Sequence, residues 1–340
     1  MECHSTSEAL KGQKIVLIGN PNVGKSVIFG LLTGRYVTVS NYPGTTVEIC
    51  QGYAQYNGNQ MVVVDTPGTN NLIPMSEDEK ITRDILMKER PKAVVQVADM
   101  KNLQRSLLLT LQVAEMGLPL IFDLNMVDEA NSRGIKVNVE AFSEILGVDV
   151  VPTVATRRQG LDRLRKSIGE PKTSHWSIEY PAEIAEAASK IENLISCTTE
   201  ISKKAIALML LAGDESLKLW LHSNLAEHQI REIEKVRAAT QKLFKEPLSY
   251  LITRHRLQEA GKVCQIVSQM EREIEHGALA KLSSWTTHPI AGIPILLVIM
   301  YLIYKFVGEF GAGTSVDFLE EVVFGQYLIP WFSKLVNWLI

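Results

Sequence analysis

Gly19-Asn20-Pro21-Asn22-Val23-Gly24-Lys25-Ser26 fits the pattern G-x-x-x-x-G-K-S at every required position. The apolar run Ile15-Val16-Leu17-Ile18 before it reads as a buried strand, and Val27 to Leu32 after it as a helix. That context turns a motif match into a physical claim, because backbone N–H groups at a helix N-terminus cradle phosphates. Gly24 lets the backbone approach closely, Lys25 is expected to reach the outer phosphates, and the Ser26 hydroxyl is placed to ligand Mg²⁺.

Further nucleotide elements follow in order. Residues 35 to 48 hold Ser40-Asn41-Tyr42-Pro43-Gly44-Thr45-Thr46, whose turn formers mark a mobile loop before a strand from Val47 to Gln55. A threonine here completes a Mg²⁺ shell when a γ-phosphate is present, and Thr46 is preferred over Thr45. Met61 to Val64 reads as a strand covered on both faces and ends in Asp65-Thr66-Pro67-Gly68. Asp65 is expected to hold Mg²⁺ through a water, and the Gly68 N–H to bind the γ-phosphate. Thr69 stands where many GTPases carry a water-orienting glutamine, so backbone groups, Thr46, Thr69 or a partner must position the water.

The chain then alternates as a doubly wound sheet requires. Glu77 to Lys88 reads as a helix capped by Ser76 with Glu79 at the capping-box position, Ala93 to Ala98 as a strand and Leu103 to Met116 as a helix ended by Gly117. The strand Leu118 to Leu124 leads into Asn125-Met126-Val127-Asp128. A carboxylate at Asp128 accepts two bonds from guanine's N1–H and exocyclic amine, which adenine cannot supply, so GTP is expected over ATP. After a helix from Val139 to Leu146 and a strand from Val148 to Val154, Ala155-Thr156-Arg157 takes the place of the last base-contacting loop. There the Ala155 N–H is expected at the guanine O6.

Composition narrows the alternatives. The 340 residues carry 35 basic and 38 acidic side chains, a net charge of −3, so nucleic acid is not expected as a partner. This disfavours the competing reading, a ribosome-assembly or tRNA-modifying GTPase. Cys3, Cys50, Cys197 and Cys264 form no C-x-x-C pair and read as reduced thiols. Cys3-His4 lies in a polar N-terminal tail without a signal-peptide core.

Residues 14 to 168 resemble a bacterial-type small GTPase, and four stretches resemble the GTPase domain of the ferrous iron transport protein B (FeoB) family. They are Gly19 to Ser26; Asn41-Tyr-Pro-Gly-x-Thr-Val-Glu48; Asp65-Thr-Pro-Gly-Thr69; and Asn102-Leu-x-Arg-Ser-Leu-x-Leu-Thr-Leu-Gln112 followed by Asn125-Met-x-Asp128. The match over 102 to 112 lies outside the generic nucleotide motifs and discriminates most. The resemblance implies a slow, K⁺-stimulated GTPase in which Asn22 helps hold K⁺ beside the phosphates, where it offsets developing charge. The chain departs from the family in having Ser40-Asn-Tyr for the commoner Gly-Asn-Trp, and Ala155 where serine is usual.

The expected architecture is an α/β P-loop GTPase with a doubly wound, mostly parallel sheet, then an all-α helical domain and at least one transmembrane helix. The GTPase domain spans 12–169, a Pro-containing linker 170–182 and the helical domain 183–276. Its apolar stripes are Ile184, Ala188, Ile191 and Ile195; then Ile230, Ile233, Val236 and Leu243; then Leu251, Ile252, Val263, Ile266, Met270 and Ile274. In the family this helical region favours GDP retention. Leu282 to Tyr304 runs 23 residues without Asp, Glu, Lys or Arg, and a transmembrane helix is expected over 282–307. Arg272 and Lys281 before it, against Glu309, Asp317, Glu320 and Glu321 after it, put the GTPase on the cytoplasmic side of the inner membrane. His288 reads as a helix-start residue. Residues 308–340 read as an amphipathic or second membrane segment, the start of a core that continues in the family. A split gene product, a truncated product and a frameshifted one all stay open, and alone the chain is not expected to transport. The resemblance further implies GTP or GDP, Mg²⁺ and K⁺ as cofactors and Fe²⁺ as the cargo of a complete family protein. The partners it implies are the remainder of the membrane core, small cytosolic accessory proteins and a homo-oligomer.

Overall fold

Ile15 and Leu17 face one side of a sheet and Val16 and Ile18 the other, and this alternation on the first strand organises two separate apolar cores. The structure, a computed structural model, describes residues 12–34, 37–43, 45–56, 58–270, 285–286, 292–314, 316 and 318–339. The chain divides into two compact units, Met1–Glu271 and Arg272–Ile340.

In the first unit the strands are β1 (Gln13–Gly19), β2 (Val37–Asn41), β3 (Glu48–Tyr56), β4 (Asn59–Asp65), β5 (Ala93–Asp99), β6 (Pro119–Asn125), β7 (Ile135–Val137), β8 (Val150–Pro152), β9 (Lys172–Thr173) and β10 (Ser268–Met270). The main sheet runs β2-β3-β4-β1-β5-β6-β8, with β9 also on β6. The pairs β4-β1, β1-β5, β5-β6 and β6-β8 are parallel, whereas β2-β3, β3-β4 and β6-β9 are antiparallel, so the sheet is mixed. Helices α1 (Lys25–Thr33) and α6 (Leu161–Gly169) cover one face through Ile28, Phe29, Leu32, Leu161, Leu164 and Ile168. Helices α2 (Glu77–Lys88) and α3 (Leu103–Met116) cover the other. In sequence order α4 (Val127–Ser132) and α5 (Val139–Leu146) lie between α3 and α6.

The remaining helices of this unit are α7 (Ala182–Leu194), α8 (Lys203–Leu211), α9 (Lys218–Asn224), α10 (Glu227–Gln241) and α11 (Leu248–Val267). Their buried residues, Ile184, Ile191, Leu208 and Ile252 among them, join the α2/α3 core without a break. The two folds thus share one apolar core, and two strands stitch them further. β10 closes antiparallel on β7, and β9, inside the stretch expected to be a linker, adds to β6. Two-residue pairing of this kind has no periodic signature, because β9 exists only where an edge of β6 is presented to it.

Three further expectations change. The loop over 35 to 48 contains β2, because the β-branched Thr38 and Val39 pair with the free edge of β3, and only the turn Tyr42 to Val47 closes the hairpin. Leu243 and Ile266, assigned to apolar stripes, are exposed at 65% each. Leu243 lies beyond the end of α10, where helical spacing no longer fixes a face, and Ile266 lies in the last turn of α11. Gly44, Ile274, Cys3, His4, Arg272, Lys281, His288 and Asp317 lie outside the described residues.

The second unit contains a helix Gly292–Tyr304, a π-helical stretch Lys305–Thr314, a second one Phe318–Leu328 and a helix Ile329–Leu339. Its large apolar side chains lie on the surface, among them Leu297, Tyr301, Phe306 and Trp331. Among the described residues no helix is long and apolar enough to cross a membrane. The first helix has 13 residues, or roughly 20 Å at 1.5 Å per residue against a hydrocarbon core of about 30 Å.

Candidate functional site

The phosphate loop is shaped by two left-handed residues, Asn22 (φ 63°) and Gly24 (φ 89°). Asparagine tolerates that conformation; at Gly24 a Cβ would also lie 2.5 Å from Asn125 Nδ2, so only glycine fits. The Asn125 amide holds this contact by donating to the Val23 carbonyl at 3.0 Å. The side chain of Asn22 is exposed and has no hydrogen bond among the described residues.

Behind the loop, the end of β4 is fastened to β1. The Thr66 hydroxyl and N–H both donate to the Leu17 carbonyl, at 2.9 and 3.2 Å, and the Thr69 N–H donates to the Gly19 carbonyl at 2.9 Å. Gly68 packs on Pro21 so closely that a Cβ would lie 3.0 Å from the Pro21 Cα. These contacts fix Asp65, whose carboxylate accepts from Ser26 Oγ at 3.0 Å and pairs with the Lys25 ammonium at 2.5 Å. Lys25 also donates to the Thr66 carbonyl. A hydroxyl and a carboxylate oxygen this close form the hard-oxygen donor set that Mg²⁺ takes.

Of the two threonines in the hairpin turn, Thr45 is engaged locally. Its hydroxyl donates to the Tyr42 carbonyl at 2.9 Å and accepts from the Val47 N–H at 3.3 Å. Thr46 is exposed. Thr69 is fully buried and its hydroxyl donates to the Asn71 carbonyl at 2.9 Å.

At the base end, Asn125 Oδ1 accepts from the Ala155 N–H at 3.1 Å and lies 3.2 Å from Thr153 Oγ1. The Ala155 amide, expected at the guanine O6, is therefore directed at Asn125. Met126 takes a left-handed φ of 62° and opens α4, which begins at Val127 and carries Asp128. Asp128 accepts from the Glu129 N–H at 3.0 Å and pairs with Arg157 at 3.5 Å. Thr156 and Arg157 follow Ala155 in a single 3₁₀ turn.

A second layer of residues, of which only Asn20 belongs to the phosphate-loop motif, holds the loop after Gly68. Asn20 Nδ2 donates to Asn70 Oδ1 at 3.0 Å, Arg105 donates to the same oxygen at 2.9 Å, and Ser106 Oγ donates to Asn20 Oδ1 at 3.0 Å. Gln112 Oε1 accepts from the Leu72 N–H at 2.8 Å, and its amide donates to Asn71. Glu79 accepts from the N–H groups of Asn70 and Met75 at 3.3 and 3.0 Å, although it was expected to close a capping box on Ser76. Ser76 does cap α2, accepting from the Glu79 N–H at 3.3 Å. The stretch 102 to 112 is thus the brace of this loop, which explains its polar residues at Arg105, Ser106 and Gln112.

Two family models cover this architecture: one described as ferrous iron transport protein B matches residues 13–168, and one described as FeoB cytosolic helical domain matches residues 180–269. A GDP-bound mutant of the S. thermophilus FeoB G-domain superposes with a TM-score of 0.69 at 32% identity, over 76% of this chain and 100% of that one. This chain belongs to the FeoB family. The cytosolic domain of L. pneumophila FeoB is similarly close in fold, with a TM-score of 0.66 at 26% identity over 76% of this chain and all of that one. Among FeoB relatives, the Fe(2+) transporter FeoB of Escherichia coli is 29% identical over 87% of this chain and 38% of its own length. The Fe(2+) transport protein A/Fe(2+) transporter FeoB fusion protein of Porphyromonas gingivalis is 29% identical over 96% of this chain and 39% of its own length. The chain therefore spans about 39% of the length of such a FeoB relative. The FeoB G-domain here is a P-loop GTPase fold with a mixed sheet, joined to the FeoB helical domain.

Proposed function

We propose that this chain binds GTP and GDP and hydrolyses GTP slowly as the cytoplasmic, N-terminal switch of a ferrous iron transporter in the inner membrane. The observation that carries the reading is the frame in which Asn125 joins the Val23 carbonyl of the phosphate loop to the Ala155 N–H of the base loop. One side chain thereby sets the distance between a phosphate cradle and a base pocket.

Nucleotide binding requires Lys25 to exchange Asp65 and Thr66 for an outer phosphate, which frees the Asp65 carboxylate beside Ser26. Ser26, Asp65 through a water, and Thr46 in the GTP state are the proposed Mg²⁺ ligands. When bound, Mg²⁺ neutralises charge between the β- and γ-phosphates. The exposed Asn22 oxygen is the proposed protein ligand for K⁺, which takes the electrostatic role of an arginine finger. The attacking water falls to Thr46 or backbone groups, since the Thr69 hydroxyl is already engaged.

The exposed apolar surface of Gly292–Tyr304 and of the segment after it supports a membrane-embedded second unit. The remainder of the iron-conducting core, and a small accessory protein of the kind fused in the Porphyromonas gingivalis relative, are the proposed partners.

Single-turnover GTP hydrolysis in K⁺ against Na⁺ tests the enzymatic claim. A faster rate in K⁺ is expected, roughly 10²–10³-fold if the ion supplies one preorganised charge contact. Asn22→Gly keeps the left-handed backbone while removing the oxygen, so it should erase the salt difference and spare GDP binding. Thr46→Ala should lower hydrolysis in both salts. Equal wild-type rates in K⁺ and Na⁺ discard the K⁺ role, and absence of turnover in either discards the hydrolase.

A further inference from the structure

Asp123 lies in β6, two residues before Asn125, and is fully buried. Its register neighbours are Val97 on β5 and Val151 on β8. One carboxylate oxygen lies 2.6 Å from Thr153 Oγ1, and the other has no hydrogen-bond partner. The helices on this face of the sheet are α1 and α6. Lys25 on α1 is committed to Asp65, while Asp162, Arg163, Arg165 and Lys166 on α6 are exposed. Among the described residues no charged group offsets the burial, which pushes the Asp123 carboxyl up to about 7.

The hydroxyl of Thr153 has one hydrogen and two acceptors in reach, Asp123 at 2.6 Å and Asn125 Oδ1 at 3.2 Å. The orientation of the Asn125 amide is fixed, since its Nδ2 donates to the Val23 carbonyl and its Oδ1 accepts from Ala155. When Asp123 is ionised it takes the Thr153 hydrogen, and Asn125 Oδ1 then depends on the Ala155 N–H. When Asp123 is protonated its O–H donates to Thr153 Oγ1, and the Thr153 hydrogen turns to Asn125 Oδ1. The Ala155 N–H can then leave for a base carbonyl without orphaning a buried acceptor.

We infer that Asp123 is a positioning residue for guanine recognition, acting through Thr153 and Asn125 so that its protonated form releases the Ala155 N–H to the base. This rests on the guanine-nucleotide reading above. Protonation adds one solvent proton to the carboxylate and only rotates the Thr153 hydroxyl, so no heavy atom has to move. The consequence is nucleotide affinity that falls as pH rises through neutrality.

The test is the affinity and dissociation rate of a fluorescent GDP analogue on the full chain between pH 6 and pH 8. Wild type should bind roughly three- to tenfold more weakly at pH 8, the size of one hydrogen bond. Asp123→Asn offers a donor that does not titrate, so it should keep the affinity of wild type at pH 6 across the range. Thr153→Val should bind weakly at both pH values, and Thr153→Ser should restore the wild-type profile. Titration of the nucleotide phosphates is common to all four proteins and cancels in the ratio of variant to wild type. Parallel profiles for wild type and Asp123→Asn overturn the inference while leaving the nucleotide site standing. Failure of wild type to bind at either pH overturns the nucleotide reading itself, and the inference with it.

Discussion

The guanidinium of Arg83 on α2 and the carboxylate of Asp214, in the turn after α8, form an ion pair in which each side chain is 1% exposed. Arg83 also donates to Ser216 Oγ at 2.8 Å and pairs with Asp84 at 2.8 Å. The helix that follows the Asp65–Gly68 loop is thereby tied to the helical domain through a desolvated contact. Removing Asp214 strips the buried guanidinium of its fully desolvated partner and leaves it only Asp84 and Ser216, so the cost stays below the roughly 3–5 kcal/mol of a wholly unpaired buried charge. Asp214→Ala should therefore lower the urea midpoint substantially, whereas Glu215→Ala, which removes an exposed pair with Lys218, should leave it unchanged. An Arg83→Met, Asp214→Leu double variant should recover much of the loss, since apolar replacement of both charges removes their desolvation cost.

Gln112 bonds both Leu72 and Asn71 from the middle of α3. Gln112→Leu keeps the side-chain volume but leaves the Leu72 N–H buried without a partner, a loss of about 1–3 kcal/mol. Amide exchange at Leu72 should accelerate while the strands β1 and β5 keep their protection. Uniform acceleration across the sheet would show that Gln112 supports the whole domain and not this loop.

Asp128, the proposed base-reading acid, lies in the first turn of α4 with Arg157 at 3.5 Å. Asp128→Asn replaces an acceptor pair with one acceptor and one donor, which matches xanthine better than guanine. Competition between the two nucleoside diphosphates should shift towards xanthine. Unchanged GDP preference would remove Asp128 from base recognition.

The burial of Asp123 also fixes a pH dependence of stability. Its carboxyl is raised from an ordinary 3.8 to about 7 in the folded chain, so between those values the folded state holds a proton that the unfolded state has lost. Stability then falls as pH rises through that window, by up to about 4 kcal/mol, and is flat above it. Asp123→Asn should raise the melting temperature at pH 8 far more than at pH 5. An equal shift at both would assign the effect to packing.

Much of this arrangement is readable in the residues. The helices Glu77–Lys88, Leu103–Met116 and Val139–Leu146 start and stop as their caps and periodicity predict. An acid within Leu120-Ile121-Phe122-Asp123-Leu124 is visible as an anomaly in an apolar run. Its meaning is not, because the lack of solvent around Asp123 follows from β5 and β8 lying beside it. The same holds for Arg83, which reads as an ordinary polar position on a helix, and for Glu79, which reads as a capping-box residue but holds the N–H groups of Asn70 and Met75.

The sequence by itself determined the phosphate loop and the alternation of the central parallel strands and helices of the GTPase fold. Those depend on short-range spacing and periodicity along the chain, which are fixed before any distant segment packs. Tertiary structure alone decided that β9 and β10 join the sheets, that the helical domain shares the α2/α3 core, and that Asn125, Thr153 and Asp123 form one hydrogen-bonded line. Each of these depends on which groups are brought together and shut away from water, and pairing and desolvation across long separations leave no period in the chain.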